Sequence, residues 1–339
     1  MVAPPWYEVP PTGYGGTEAI LARLVDGLVD SGHDVTVVAA GRDLTAGRFL
    51  QTYAEPPRPD FDSHAEVAQA AMAARLLDEA LRDGRLDLVH DHSVAGPLLA
   101  RGRDVPTVVT THLPPEDDLL TYYRALDDTV AFVAISESQR RQAPELPWVA
   151  TVHHGIEVEE FPYREDKEDQ VCFLGRFSPE KGAHLAIDAA REAGIPIVLA
   201  GKCSEDRERR YFEAEIAPRL GPDARYIGVA DFPTKCRLLA RSRCLVFPIL
   251  WEEPFGLVMT EAMACGTPVV ALRRGSVPEV VVDEVTGLIL DDPDDLPTAL
   301  RDAKRLAPKA ARRHVETSFS REAMVRGYQA AYRAVLSAA

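Results

Sequence analysis

The sequence predicts an α/β protein of two domains, each a parallel sheet with helices on its faces. Three observations lead there. At 339 residues the chain exceeds one ordinary core and suits two. Short apolar runs of strand length alternate with helix-period stretches, the βαβα order of a parallel sheet. The alternation breaks once, at the charged, unperiodic stretch 156–170. That stretch reads as a linker between a first domain at 1–160 and a second at 170–318, with 319–339 as a closing helix.

Composition narrows the function classes. Hydrophobic residues make up 46% of the chain, ample for burial in both domains. The net charge of −15 disfavours non-specific nucleic-acid binding and attraction to anionic membranes. No apolar run approaches the length of a membrane-spanning helix, and no signal peptide is evident at the N-terminus. The five cysteines (172, 203, 236, 244 and 265) are odd in number, scattered and without metal-ligand spacing. Several sit in apolar runs, so reduced, mostly buried thiols in a cytoplasmic protein are expected.

The first domain opens on three apolar residues, fewer than a strand of a parallel sheet usually has, and then a Pro-rich loop. Either that strand is clipped or residues precede it. The loop ends in Gly15-Gly16-Thr17 and leads into a helix with Ile20, Leu21, Leu24, Val25 and Leu28 on one face. A buried strand follows at 34–39. This is the outline of a nucleotide-binding unit, but it lacks a proper GxGxxG fingerprint, so a dinucleotide site there is weakly supported. Further expected elements are a short strand at 48–53, a helix at 63–82, and strands at 86–91, 107–111, 130–135 and 149–152. Several strand ends carry histidine: His90 and His92, His112, and His153-His154. Ligands of parallel sheets bind at such ends. Neutral hydrogen bonding to hydroxyls fits better than metal ligation, because these imidazoles end separate strands and no cysteine accompanies them.

The second domain restarts with a strand at 171–174 and the turn Gly175-Arg176-Phe177-Ser178-Pro179-Glu180-Lys181-Gly182. An Arg and a Lys five apart at a strand-to-helix turn can face one anion, or can be two solvated surface cations. Further strands are expected at 197–200, 226–228, 245–248, 268–271 and 288–290, and amphipathic helices at 211–220 and 234–241. After the strand at 245–248 comes the most informative stretch, from Leu250 to Pro268. Glu253 and Glu261 have seven residues between them, and Pro254 near the start suggests a helix from there. If fully helical, the two acids would stand roughly 12 Å apart along the axis. The helix start would offer the amides of Phe255, Gly256 and Leu257 to an anion. Acids near a helix start are also favoured by its dipole whatever the function, so spacing alone leaves both readings open.

The wider string EEPFGLVMTEAMACGTPVVA, with GSVPEVV and TGLIL after it and the Gly-Arg…Lys-Gly turn before it, resembles the donor-binding segment of retaining glycosyltransferases of family four. The resemblance implies the GT-B fold: two Rossmann-like domains facing a cleft, with the last helix crossing back to the first domain. It implies sugar transfer from a nucleotide diphosphate sugar to an acceptor hydroxyl, with no metal or other cofactor. Glu253, His112, Arg176 and Lys181 would form the catalytic set. Arg176, Lys181, Gly15, Gly16 and the amides of Phe255, Gly256 and Leu257 would hold the donor diphosphate, Glu261 the ribose, and Glu253 the sugar. His112 matches the family's histidine beside the transferred sugar. His154 stands where the family often has Asn, and a structural bond is expected of it.

Three rivals stand beside this reading. A sugar-nucleotide epimerase of the same fold would need no acceptor. A nicotinamide-dependent oxidoreductase would need a clear glycine fingerprint. A binding module would tolerate decay of the acids and cations that are intact here. Trp6, Tyr7 and Tyr14 suggest a stacking surface for the acceptor, and the acidity of the chain favours a soluble one.

Overall fold

A computed structural model describes the chain except for Tyr14, 58–62, Asp83, Arg85 and Ala339. It divides into two units, Met1–Gly155 with Arg321–Ala339, and Ile156–Ser320.

The first unit runs α1 (Gly16–Asp30), β1 (Thr36–Ala39), β2 (Arg48–Gln51), α2 (Ser63–Arg82), β3 (Val89–Asp91), β4 (Thr107–Thr110), α3 (Asp117–Leu126), β5 (Ala131–Ala134), α4 (Glu137–Gln142) and β6 (Trp148–Thr151). Strands β1 and β2 pair with each other, and β3 to β6 pair in sequence order, all parallel. Val2 joins the two groups, bridging Val38 on one side and Asp91 on the other. Its amide donates to the His90 carbonyl (2.9 Å), and its own carbonyl accepts from the His92 amide (3.0 Å). The short opening strand therefore pairs on both edges, and its single central residue is fully buried. The five apolar residues expected on one face of α1 are all at most 2% exposed. Trp6 and Tyr7 are half-buried, and Tyr14 lies outside the described residues.

The second unit runs β7 (Val171–Leu174), α5 (Ala183–Ala193), β8 (Ile197–Ala200), α6 (Asp206–Tyr211), β9 (Ala224–Tyr226), α7 (Phe232–Arg241), β10 (Leu245–Phe247), α8 (Leu257–Ala264), β11 (Val269–Leu272), α9 (Val277–Val280), β12 (Gly287–Leu290), α10 (Leu296–Asp302) and α11 (Pro308–Ser318). Its sheet is parallel, in the order β12-β11-β10-β7-β8-β9. From the first strand, β7, the chain winds outward through β8 and β9, then returns to β10 on the other side. The switch point therefore lies between β7 and β10. Phe173, Phe177, Ile187, Ile197 and Leu199 belong to the core of this unit. Each such side chain contributes about 1.5–3 kcal/mol on burial.

The chain closes with α12 (Arg321–Ala338), which belongs to the first unit and packs on α1 and β6. Its Met324, Tyr328 and Val335 are buried. The Tyr328 hydroxyl lies 3.0 Å from Thr110 Oγ1, and the Tyr332 hydroxyl 2.7 Å from His90 Nδ1. These tyrosines thus pack and also satisfy buried polar groups on the strands.

Several expected bounds shift, and the strand expected at 86–91 begins only at Val89. The helix expected at 211–220 begins earlier, at Asp206, where Glu205 and Glu208 form a capping box. Past Tyr211 it widens into a π turn over Phe212–Ile216, just ahead of Pro218, which has no amide to donate. Strand β9 lies two residues before its expected place and ends ahead of Gly228, whose φ is 79°. The helix expected from Pro254 begins only at Leu257.

Two predictions follow from the first unit. A Cβ at Gly27 of α1 would stand 2.6 Å from Val325 Cγ2 on α12. Gly27→Val should therefore cost about 1–3 kcal/mol, read as a lowered melting temperature. Glu18, in the first turn of α1, is 3% exposed. Burial pushes its pKa up to about 7, opposed by a bond to its own backbone amide and reinforced by the nearby Glu66 carboxylate. The folded state then holds a proton that the unfolded chain releases near its ordinary value of 4.5. Stability from this group is full below about pH 4.5 and declines as pH rises towards 7, by up to about 3 kcal/mol. Glu18→Gln should remove that decline, so urea midpoints of variant and parent should diverge between pH 5 and 8, with the variant higher at pH 8.

Candidate functional site

Because β7 and β10 are neighbours, the loops at their carboxyl ends lie side by side, where open α/β sheets bind ligands. The β7 loop carries Arg176 and Lys181, and the β10 loop carries Trp251, Glu252 and Glu253. A backbone bond from the Leu250 amide to the Glu180 carbonyl (2.8 Å) ties them together. Gly182 makes the approach possible. It adopts φ 70°, and a Cβ there would sit 2.1 Å from the Pro248 carbonyl oxygen.

Lys181 Nζ donates to Glu253 Oε2, which also accepts from the Trp251 indole N–H at 3.0 Å. The ammonium stands over the Trp251 ring, 4.6 Å from its centroid. The Lys181 and Glu253 side chains are only 15% and 12% exposed. Both donors use Oε2, which leaves Oε1 for a further donor. A shielded pair with spare acceptor capacity is a poor device for stability. It does hold a carboxylate and a cation ready at the switch point.

The loop from Glu253 to Gly256 is held open instead of wound into helix. Ser276 donates its amide to the Glu253 carbonyl (2.9 Å) and its hydroxyl to the Phe255 carbonyl (2.7 Å). Gly256 then caps α8 with φ 75°. The roughly 12 Å expected of an unbroken helical spacer thus has no basis, since Glu253 and Pro254 precede the helix. Phe255 and Gly256 also precede it, and the first helical amides belong to Leu257 and Val258. Glu261 stands within α8, 9% exposed, and accepts from Lys235 Nζ of α7 at 2.5 Å. That ammonium lies 5.2 Å from the Phe232 ring centroid.

Arg176 is paired elsewhere, 3.8 Å from Glu208 Oε1. Glu208 is buried, and its other oxygen takes the amides of Ser204 (2.8 Å) and Glu205 (3.1 Å). The structure therefore joins Lys181 to Glu253, while Arg176 and Glu261 each rest on a partner that sequence reading missed, Glu208 and Lys235. Trp251 was missed too. The alternating charges of α6 and the all-basic charges of α7 are the local signal for the first two, and neither separates them from solvated residues.

In the first unit the strand-end histidines gather. His92 Nδ1 lies 2.9 Å from His112 Nε2, and the His112 ring stacks on His154, with centroids 5.4 Å apart. His90 Nε2 lies 2.8 Å from Thr110 Oγ1. Burial lowers the pKa of His112 to about 4 and holds His90, His92 and His154 well below the ordinary value. All four are therefore neutral near pH 7. Gly15 caps α1 with φ 144°, and a Cβ there would stand 2.9 Å from Pro11 Cβ, so the turn itself demands glycine. Gly16 is the first residue of α1 and is exposed. No group of three or more His, Cys, Asp or Glu able to hold a metal occurs among the described residues. All five cysteines are free thiols. No helix among the described residues is long and apolar enough to cross a membrane.

Comparison with known proteins gives this geometry a lineage. The family model for glycosyl transferases group 1 matches residues 156–316, and that for glycosyltransferase family 4 matches 14–160. The chain is 28% identical over 330 residues to a phosphatidyl-myo-inositol mannosyltransferase of Mycolicibacterium smegmatis, covering 88% of this chain and 83% of that one. A sucrose-phosphate synthase structure from Thermosynechococcus elongatus superposes with a TM-score of 0.83 at 19% identity, over 100% of this chain and 98% of the other. Anabaena HepE, solved with UDP-glucose, gives 0.74 at 17% identity, over 99% and 98%. With the two models together spanning 14–316 and both units built as above, the chain belongs to the family-four glycosyltransferases and has the GT-B fold.

Proposed function

We propose that this glycosyltransferase moves a hexose from a nucleotide diphosphate sugar to an acceptor hydroxyl, with retention at the anomeric carbon and without a metal. The observation that carries the reading is the meeting of Lys181 and Glu253, 72 residues apart in sequence, at the switch point of the second unit. Glu253 accepts hydroxyls of the transferred sugar through its spare oxygen and orients the ring. Lys181, a mobile point charge, swings from Glu253 to the diphosphate. Arg176 and the first amides of α8 share that load, and Glu261 accepts from the ribose. His112, neutral by burial, takes the contact to the sugar that the family resemblance assigns to it.

In the step itself, the bond from the anomeric carbon to the phosphate oxygen breaks as the acceptor oxygen bonds to the same carbon from the same face. The acceptor's proton passes to the departing phosphate. Negative charge grows on that phosphate, and fixed cations and amides stabilise it. This is work that a divalent ion does in other enzymes. The relative named as a mannosyltransferase and the neighbour solved with UDP-glucose support a hexose donor.

The first test is a thermal-shift screen against UDP, GDP, ADP, TDP and NAD. A nucleotide at a hundred times its dissociation constant adds about 2.7 kcal/mol of stability. One nucleoside diphosphate should shift the protein, and a shift with NAD alone would overturn the reading. With the donor so named, Lys181→Ala should lower turnover by about 10²–10³-fold with the fold intact by circular dichroism. Near-parental activity would remove Lys181 from the mechanism. Treatment with EDTA should leave turnover unchanged, and a loss restored by Mg²⁺ or Mn²⁺ would show that a metal is needed after all.

A further inference from the structure

Two buried imidazoles of the first unit are coupled through one hydrogen bond, and the coupling fixes what their outer ends present. His92 Nδ1 and His112 Nε2 lie 2.9 Å apart. The remaining nitrogens, His92 Nε2 and His112 Nδ1, are buried and meet no partner among the described residues. His92 is 4% exposed. His90 lies against it with centroids 4.0 Å apart, and is itself committed to Tyr332 and Thr110.

A neutral imidazole carries one N–H and one bare nitrogen. One of the two facing nitrogens must donate and the other accept. If His92 Nδ1 donates, His112 Nε2 is bare, so His112 Nδ1 carries a hydrogen and His92 Nε2 has none. If His112 Nε2 donates, the outer ends exchange roles. In both arrangements the two rings share the same tautomer, and the pair presents one donor and one acceptor. The two outer nitrogens lie at opposite ends of the pair, so His112 Nδ1 alone offers a hydroxyl either a donor or an acceptor, according to the shared tautomer. Both rings are neutral through burial, so the one-proton count holds near pH 7.

We propose that His92 is a positioning residue that ties the tautomer of His112 to its own. The proposal rests on the reading that His112 meets the transferred sugar. His92 does not touch the sugar in this scheme. It acts by coupling the donor or acceptor state of His112 Nδ1 to the state of its own ring.

The test is ¹⁵N spectroscopy of the free protein with ¹⁵N-labelled histidine, together with steady-state kinetics. The two rings should show the same tautomer, both Nδ1–H or both Nε2–H. His92→Phe keeps a ring but removes the bond, and should change the His112 pattern. His92→Asn places an amide near the Nδ1 position and should restore the parental pattern. Turnover should fall about tenfold in His92→Phe, with the donor KM changing less than kcat, and return to within about threefold in His92→Asn. Opposite tautomers in the parent, or an unchanged His112 signal in His92→Phe, would overturn the proposal, and the parental spectrum decides even if a variant fails to fold. Coupled tautomers together with full activity of His112→Ala would instead refute the sugar-facing role of His112 and leave the coupling standing.

Discussion

The adjacency of β7 and β10 is the constraint on which the second unit depends. Strand order places the first strand beside the fourth, and the loops after them must then share space. Everything notable about the two loops follows from that crowding. Gly182 is needed because Pro248 stands where a Cβ would go. The Leu250 amide finds its acceptor on Glu180, in the other loop. Lys181 and Glu253 meet although the chain between them contains three strands. A different strand order would leave the same residues exposed on separate edges, as ordinary surface charges.

The two units solve the problem of polar groups near a sheet end in opposite ways. The second uses full charges and pairs each with an opposite one: Lys181 with Glu253, Lys235 with Glu261, Arg176 with Glu208. The first uses imidazoles that burial holds neutral, linked to one another and to Thr110, Tyr328 and Tyr332. Neutral donors and acceptors avoid the desolvation that a buried charge would cost. Glu18 shows the alternative: a carboxyl buried without a cation holds its proton up to about pH 7.

Much of this was legible in the sequence, because strands and helices report their own periodicity. Five buried residues of α1 could be read off one stripe, and the bounds of α2 and of the strand Val171–Leu174 were read residue for residue. What was not legible depended on pairing. Nothing local to Glu208 or Lys235 says that Arg176 or Glu261 will reach them, since charged helix faces are usually solvated. The start of α8 was misread because Pro254 is a good first helical residue in isolation. Only Ser276, twenty-three positions after Glu253, takes the carbonyls that would have served the first helical turn. Likewise the three-residue opening looked too short for a strand, yet Val2 bridges partners on both sides, 36 and 89 residues away.

The Lys181–Glu253 pair also bears on how such a site avoids premature collapse. An unpaired cation in a half-buried loop would attract any anion, and an unpaired carboxylate would resist burial. Paired, each is satisfied at rest, and under the proposed function a ligand that supplies both a phosphate for the lysine and hydroxyls for the glutamate replaces each partner. A ligand with only one of these leaves the other partner stranded. Trp251 serves both partners at rest, its indole N–H donating to Glu253 and its ring facing the Lys181 ammonium. Under the proposed function, the resting contact itself favours a molecule that carries phosphate and sugar together, before any chemistry begins.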